Sequence, residues 1–314
     1  MGGATLDLLQ EAFNKREALR ASTNAVRLVN GYGDGLDGLV LEQYAQHFVA
    51  QVFDARWLSE KEILLDFVKG HGARYFIIKD RTRGPSARPD EIGFNIVLDG
   101  GSSSTTVEES GVKFSVDLND TLNTGLFLDM RANRRLVASL AGGRKVLNLF
   151  SYTCSFGVHA RLQGAAAVVN VDVSKKILER GRVNYELNAL TCERNEFIRG
   201  DASEYLARAV KKDNRFGMVI LDPPSFSRND GGTFSVKKDL PRLVQDALTI
   251  LEPGGVVFVA TNHSEMLHSH LQNIVQKAAR GRPVKKFQPL GQDADFTGSG
   301  FMAESCLTAI LAEF

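Results

Sequence analysis

Residues 145–174 read KVLNLFSYTCSFGVHARLQGAAAVVNVDVS, in which an apolar strand-like run is followed by a helix-like stretch and a second apolar run. The same alternation continues towards the C-terminus, through strand-like runs that include residues 216–222, FGMVILD, and 256–262, VVFVATN. Strands that alternate with helices of about 10–15 residues predict βαβ crossovers and a mostly parallel sheet with helices on both faces. The N-terminal part of the chain, before this alternation of strands and helices, contains short β-like runs and Asp-Gly pairs that favour tight turns. We therefore predict a small α+β domain at residues 1–115 and an α/β domain at residues 116–314.

The composition is ordinary for a globular protein of about two domains, since 43% of the 314 residues are hydrophobic and 24% are charged. Lys and Arg number 38 and Asp and Glu number 37, which gives a formal net charge of +1. This balance excludes a strongly basic nucleic-acid coat, so any phosphate contacts must come from local clusters. Two clusters are candidates: Lys79, Arg81, Arg83 and Arg88, and Lys277, Arg280, Arg282, Lys285 and Lys286.

Targeting signals and cysteine usage indicate a cytoplasmic protein. The longest apolar runs are far shorter than the ~20 residues of a membrane span, and the N-terminus reads as a polar amphipathic helix rather than a cleavable signal. Cys154, Cys192 and Cys306 form no CxxC pair, which argues against a disulfide scaffold and a cysteine zinc site. We expect no membrane association and no bound metal.

Acidic residues follow three successive strands of the predicted sheet: Asp172, Asp201 and Asp222. Ligands of an open parallel sheet bind just beyond the carboxyl ends of its strands. A carboxylate can accept hydrogen bonds from both ribose hydroxyls of a nucleoside, and another can accept from an adenine amine. The alternative for Asp172 and Asp201 is that each is simply the N-cap of the helix that follows it.

The first strand–helix turn argues against a dinucleotide. It reads NLFSYTCSFG, without the GxGxxG pattern that lets backbone approach a pyrophosphate, and a P-loop lysine and serine are also missing. An adenosine ligand without phosphates fits better, and S-adenosylmethionine is the cofactor with that property.

Five motifs together resemble the S-adenosylmethionine-dependent 23S rRNA methyltransferases of bacteria. They are TLNTGLFLDMRANRR (121–135), VLNLFSYTCSFGVHA (146–160), VDVS (171–174), GDASEYL (200–206) and FGMVILDPPSFSR (216–228). Two branches are relevant, the cytosine-C5 enzymes and the guanine-N7 enzymes. The resemblance implies a seven-stranded, Rossmann-like class I methyltransferase sheet whose last strand is antiparallel.

The resemblance also implies residue roles. Phe127 and Arg131 would close over the cofactor, Asp172 would hold its ribose and Asp201 would lie at its adenine. Asp222, Pro223 and Pro224 would face the reacting methyl group. The cofactor-binding set implied in this way is Phe127, Arg131, Asn148, Phe150, Ser151, Tyr152, Thr153, Asp172, Val173, Ser174, Asp201, Ala202, Asp222 and Pro223.

The residues after the fifth predicted strand separate the two branches. The cytosine-C5 branch places a nucleophilic Cys there and carries an extra N-terminal RNA-binding module, for which this chain is too short. This chain reads ATNHS at 260–264, and the guanine-N7 branch has Asn in place of that Cys. Cytosine C5 needs a thiolate to add at C6, whereas guanine N7 already exposes a lone pair. DTLNTGLFLDMR and DPPSFS also lie closer to the guanine-N7 branch.

We assign Asp222 to a base contact, Asn262 to a polar contact with base or cofactor, and Phe226 to stacking on the base. A core position for Phe226 is an equal alternative, Cys154 fits a small buried hydrophobe better than a nucleophile, and His263 fits a structural or exposed residue.

The predicted function is methyl transfer from S-adenosylmethionine to RNA, 23S rRNA, at a base nitrogen (guanine N7) rather than cytosine C5. Two alternatives stay open: a methyltransferase for a small molecule or protein side chain, and a non-catalytic RNA-binding protein of the same fold.

Overall fold

The computed structural model describes residues 2–83, 93–120, 123–229, 232–296, 298 and 307–314. The chain forms two compact units, Met1–Arg131 with Asp293–Glu304 and Ala132–Gln292 with Ser305–Phe314. The predicted boundary at residue 115 falls inside the first unit, within a strand. Recognition of RNA by residues 1–115 stays a prediction.

The first unit contains a sheet with the strand order β1-β2-β3-β4-β5 and a separate β6–β7 hairpin. Its strands are β1 (Ala25–Asn30), β2 (Leu39–Tyr44), β3 (His47–Val52), β4 (Tyr75–Asp80), β5 (Gly93–Leu98), β6 (Ser104–Glu109) and β7 (Val112–Asp117). Its helices are α1 (Gly2–Lys15), α2 (Glu17–Arg20), α3 (Arg56–Ser59) and α4 (Lys61–Gly70). Apolar side chains of α1 and α4, such as Leu9 and Phe67, form one buried cluster with strand residues such as Leu28 and Phe48. This is the mixed α+β architecture predicted for the N-terminal region.

Buried ion pairs cross-link the first unit. Arg16 binds both carboxylate oxygens of Asp34 at 2.6 and 2.7 Å, and Arg27 binds Glu42 at 2.8 Å. Asp295 is fully buried and accepts hydrogen bonds from Arg131 at 3.0 and 3.1 Å. Through Asp295, a segment distant in sequence becomes part of this unit.

The described residues of the second unit form one seven-stranded sheet in the order β10-β9-β8-β11-β14-β16-β15. The strands are β8 (Lys145–Leu149), β9 (Ala167–Asp172), β10 (Phe197–Arg199), β11 (Phe216–Leu221), β14 (Leu251–Thr261), β15 (Lys286–Leu290) and β16 (Thr308–Glu313), with β12 (Phe226–Asn229) and β13 (Gly232–Ser235) in a separate hairpin. The helices are α5 (Arg131–Ser139), α6 (Ser155–Leu162), α7 (Lys175–Leu187), α8 (Ala202–Lys211), α9 (Val236–Thr249) and α10 (His268–Ala278). Neighbouring strands from β10 to β14 are parallel, whereas β16 is antiparallel to both β14 and β15. The predicted sheet, with its antiparallel last strand, is confirmed.

The central strands are apolar on both faces. All six residues of β11, FGMVIL, are buried, and so is the run 255–261 of β14. Strands covered by helices on both sides lose the polar alternation of a half-exposed strand. No helix in the described part of the chain is long and apolar enough to cross a membrane.

Candidate active site

The carboxyl ends of the parallel strands bring most of the predicted site residues to one edge of the second unit. β8 leads into residues 150–154, β9 ends at Asp172, and β11 and β14 lead into Asp222 and Asn262. The backbone N–H of Gly200 donates to the carbonyl of Asp172 at 3.0 Å, which places the start of the Asp201 segment beside the end of β9. This edge is where an open parallel sheet binds its ligand.

The loop after β8 has an unusual backbone. Phe150, Tyr152 and Cys154 have φ values of 56°, 47° and 61°, the left-handed region that side chains with a Cβ rarely adopt. Strained residues of this kind persist where the surrounding structure holds them, and they cluster in ligand-binding loops. This loop takes the place of the glycine-rich turn of a dinucleotide fold.

Helix α7 holds the loop in this shape. The side-chain amide of Asn184 donates to the carbonyl of Thr153 at 2.9 Å. A Cβ on Gly181 would lie 2.5 Å from the Cys154 sulfur, so the helix approaches this closely because position 181 has no side chain. Burial raises the pKa of the Cys154 thiol well above its ordinary value. Cys154 is therefore a buried packing residue, as expected for a small hydrophobe.

Asp172 is fixed between the loop and α7. One carboxylate oxygen accepts the N–H of Tyr152 and the other accepts the N–H of Ser174, each at 2.9 Å. Burial raises the pKa of the carboxyl group, and these backbone hydrogen bonds oppose that rise. The N-cap of α7 is Ser174, which accepts from the N–H of Ile177. The N-cap explanation for Asp172 is therefore wrong, and the next residue, Val173, leaves 51% of its surface exposed.

Asp201, in contrast, is the N-cap of α8. Its Oδ1 atom accepts the N–H groups of Ser203 at 2.8 Å and Glu204 at 3.1 Å, and the adjacent Ala202 is buried. The structural alternative is confirmed for this residue. A contact between Asp201 and adenine stays a prediction.

Two further residues of the predicted cofactor set have interior partners. The buried amide of Asn148 donates to Asn170 at 2.9 Å across β8 and β9. Arg131 lies in the first unit, where its buried guanidinium binds Asp295 and the carbonyl of Ala25. Phe127, also in the first unit, has an exposed ring. Direct contacts of these side chains with the cofactor stay predictions.

The turn after β11 presents an aromatic ring to solvent. Asp222 is half-buried and Pro223 is buried, whereas Phe226 begins β12 with 56% of its surface exposed. The core alternative for Phe226 is therefore wrong. The Ser225 hydroxyl donates to Oδ1 of Asn262 at 2.7 Å, which ties this turn to the end of β14.

His263 has two hydrogen bonds within the turn after β14. Its ring Nδ1 atom accepts the backbone N–H of Glu265 at 3.2 Å, and the backbone N–H of His263 donates to the Thr261 hydroxyl. A structural or exposed role for His263 stays a prediction.

In the first basic cluster, Lys79 is not the exposed phosphate contact that the sequence predicts, and RNA contacts of the other members stay a prediction. Lys79 is only 2% exposed, and its ammonium group donates to the carbonyl of Asp120. Desolvation lowers its pKa to about 8. Arg81 is half-buried and Arg83 is exposed, while Arg88 lies outside the described residues.

The second basic cluster lies mostly at the amino ends of the parallel strands, whereas the candidate site lies at their carboxyl ends. Arg282 donates to the carbonyls of Leu248 and Leu251, where β14 begins. Lys285 donates to the Phe314 carbonyl and Lys286 pairs with Glu313. These side chains brace the amino ends of the strands, and RNA contacts by this cluster stay a prediction.

Ser225, Gly181 and Asn184 were not identified from the sequence. A glycine inside a helix costs about 1 kcal/mol relative to alanine, so Gly181 within α7 was a usable signal of close packing. Ser225 carried no comparable signal. Among the described residues, no group of three or more His, Cys, Asp or Glu side chains could hold a metal ion.

Known proteins with similar sequences and structures identify the family. The sequence model of the S-adenosylmethionine-dependent methyltransferases matches residues 70–297. The Bacillus subtilis protein YwbD is 34% identical over 244 residues, which cover 77% of this chain and 62% of YwbD, so this chain spans less than two thirds of that relative. Ribosomal RNA large subunit methyltransferase I of Aeromonas salmonicida is 31% identical over 294 residues, 91% of this chain and 74% of that protein.

The crystal structure of SMU.776 in complex with SAH is similar over the whole chain. The match has a TM-score of 0.87 and 25% sequence identity, and it covers 100% of this chain and 82% of SMU.776. The family match covers most of the sequence, and the sheet order and strand-end acids agree with it. The chain therefore belongs to the S-adenosylmethionine-dependent methyltransferases.

Proposed function

We propose that this chain transfers a methyl group to a base of large-subunit ribosomal RNA, the 23S rRNA of bacteria. The observation that carries the proposal is the exposed ring of Phe226, four residues after Asp222 in the turn at the strand ends that also hold Asp172. An unpaired base can stack on such a ring while its edge meets the carboxylate. The A. salmonicida relative, which is named as a ribosomal RNA large subunit methyltransferase, supports the same substrate class.

S-adenosylmethionine is the cofactor, and the strand-end residues fit it. Asp172 has a fixed carboxylate at the end of β9, where it can accept both ribose hydroxyls, and the exposed Val173 offers an apolar contact to the adenine ring. The backbone of the loop from Phe150 to Cys154 would run along the methionine end of the cofactor. This loop lacks the glycines that a pyrophosphate needs, which matches a nucleoside cofactor without phosphates.

Catalysis would rest on positioning. The bound cofactor supplies a methyl group on a sulfonium, and transfer is an in-line displacement by the target atom. Asp222 would accept a hydrogen bond from the base edge, and Phe226 would hold the ring in plane by stacking. The rigid Pro223–Pro224 pair keeps these groups in place because proline restricts φ. Correct alignment of two reacting atoms can account for much of such a rate enhancement.

The two described cysteines, Cys154 and Cys192, support guanine N7 rather than cytosine C5 as the target. Cys154 is buried under α7 with a raised thiol pKa, which disfavours the thiolate that C5 chemistry needs. Cys192 lies between the end of α7 and the start of β10, and therefore at the amino ends of the parallel strands, away from the site. Cys306 lies outside the described residues. It is therefore the cysteine that an experiment must exclude.

Mapping methylated nucleotides in rRNA from a strain that lacks the gene tests the proposal. Loss of one 7-methylguanine from the large-subunit RNA, restored by the purified enzyme, is the expected result. A complete rRNA methylation pattern in the deletion strain would favour a small-molecule or protein substrate.

The target atom has its own test. Cys306→Ala and Cys154→Ala should each keep the methylation rate within about tenfold of wild type, because no covalent step uses a thiol. Covalent trapping of the enzyme on RNA that contains 5-fluorocytosine would instead assign it to cytosine C5.

A further inference from the structure

Ser225 and Asn262 come from neighbouring strands that end side by side. β11 and β14 are parallel, with Leu221 opposite Val259. The chain leaves β11 through the buried Pro223, and the Ser225 hydroxyl then reaches Oδ1 of Asn262 at 2.7 Å. The pair therefore joins the two segments that form one side of the strand-end site.

The hydrogen bond also orients the Asn262 amide. An Asn side chain has an oxygen that accepts and an NH₂ group that donates. Because the oxygen is turned towards the Ser225 hydroxyl, the NH₂ group is directed away from it. Asn262 is exposed, so its NH₂ group is a hydrogen-bond donor that a partner at these strand ends can meet.

A fixed donor distinguishes the two purines. Next to N7, guanine carries O6, which accepts hydrogen bonds, whereas adenine carries an amino group, which donates. The Asn262 NH₂ group matches O6 and opposes the adenine amine. We propose that the Ser225–Asn262 pair selects guanine, with Asn262 contacting O6 and Ser225 as the positioning residue that keeps the amide from rotating. This inference rests on the proposed guanine-N7 activity.

Purine analogues at the target position test the contact directly. The probe is an RNA fragment methylated by the wild-type enzyme, with guanine, inosine or 2-aminopurine at the mapped nucleotide. Inosine keeps both O6 and N7, whereas 2-aminopurine keeps N7 and lacks O6. We expect guanine and inosine to react at similar rates and 2-aminopurine about tenfold more slowly, the effect of one lost hydrogen bond.

Variants then assign that preference to the pair. Asn262→Ala should bring the ratio of guanine to 2-aminopurine rates close to one, and Asn262→Asp should lower the guanine rate further because a carboxylate repels O6. Ser225→Ala should reduce the ratio, and Ser225→Thr, which keeps the hydroxyl, should restore it. Ser264→Ala, a serine exposed on the same loop, is the matched control and should leave both the ratio and the rate unchanged.

Two kinds of failure can be told apart. A mapped target other than guanine N7 overturns the proposed target atom and, with it, the selection by the pair. A guanine-N7 target whose 2-aminopurine discrimination survives in Asn262→Ala overturns the pair alone, and discrimination that survives in Ser225→Ala overturns the role of the serine. Unchanged melting temperature and unchanged calorimetric affinity for S-adenosylhomocysteine show that each variant is folded and binds cofactor.

Discussion

Asp172 shows how one carboxylate at a strand end serves two opposed requirements. Its burial raises the carboxyl pKa, while the N–H groups of Tyr152 and Ser174 keep the charged form available. A ribose would add further donors to the same oxygens. Hydrogen bonds to a charged group contribute about 1.5–3 kcal/mol each. We therefore expect Asp172 to contribute most of the polar part of the binding free energy of the nucleoside.

Asp172→Ala should weaken the binding of S-adenosylhomocysteine by more than tenfold, measured by calorimetry, because the ribose loses its charged acceptor. Asp213→Ala is the control, since that exposed carboxylate lies in the turn after α8. Wild-type affinity in Asp172→Ala would contradict the assignment of the ribose site.

The raised pKa of Asp172 predicts opposite pH trends for binding and stability. Affinity for S-adenosylhomocysteine should fall as the pH drops through the raised folded-state pKa, above the ordinary value of 3.8, because the protonated acid is the weaker acceptor. The group's contribution to the free energy of unfolding is instead full below its unfolded-state pKa and is lost as the pH rises through the folded one. Titration calorimetry and urea unfolding across this range measure the two trends, and Asp172→Asn should remove both.

Lys79 predicts a second pH dependence, on the alkaline side. Its folded pKa of about 8 lies below the ordinary 10.5, so between these values the unfolded chain binds more protons than the folded one. The free energy of unfolding therefore gains a contribution as the pH rises from about 8 to 10.5. Urea unfolding should show this gain in wild type but not in Lys79→Met. If the free energy of unfolding changed equally with pH in both proteins, the Lys79 ammonium group would be solvated rather than buried.

At the level of elements, α7 links both halves of the cofactor site. The helix begins at Lys175, directly after the Asp172 segment, and its Gly181 and Asn184 contact the loop after β8. The same helix therefore stabilises the strained backbone of that loop and has its N-cap residue, Ser174, bound to the Asp172 carboxylate. We expect a change in the packing of this helix to alter cofactor affinity without touching a cofactor contact.

Gly181→Ala tests this coupling. Its new methyl group would meet the Cys154 sulfur, and overpacking of this kind costs about 1–3 kcal/mol. We expect a lower melting temperature and a severalfold loss of S-adenosylhomocysteine affinity, with partial recovery of both in the Gly181→Ala/Cys154→Ala double variant. Gly70→Ala, where a Cβ meets nothing within 4 Å, is the matched control. Independent effects of the two substitutions would argue against the contact.

At the level of the whole molecule, residues far apart in sequence complete the first unit. Asp295 binds Arg131, 164 positions earlier, and accepts the backbone N–H of Arg27. The carboxylate is fully buried. Removal of one partner of a buried ion pair costs about 3–5 kcal/mol, although Arg131 would keep its longer contacts with Asp293 at 3.3 Å and Glu109 at 3.8 Å.

Asp295→Ala should therefore lower the free energy of unfolding by about 3–5 kcal/mol in urea. In the double variant Asp295→Ala/Arg131→Met, the loss should be smaller than the sum of the two single losses, because both substitutions remove the same ion pair. Asp66→Ala, at an exposed position of α4, should be neutral. A small loss in Asp295→Ala, or additive losses in the double variant, would show that the pair contributes little.

The amino-acid sequence by itself determined the architecture of the second unit and the edge that binds cofactor. Apolar runs of strand length between amphipathic helices have few ways to bury their surface, and the parallel sheet that results brings its carboxyl ends together. Asp172, Asp222 and Asn262 could be placed at that edge from local pattern alone. The same local signals made Asp201 an N-cap candidate, and the structure confirms that role.

Only the tertiary structure decided which charged and polar side chains remain available to a ligand. Lys79 and Arg282 look like solvated cations in the sequence, yet distant carbonyl groups hold them. Phe226 could have been core or surface, and Ser225 had no signal at all. Burial and hydrogen-bond partners arise from contacts between residues far apart in the chain, so no pattern of spacing can report them.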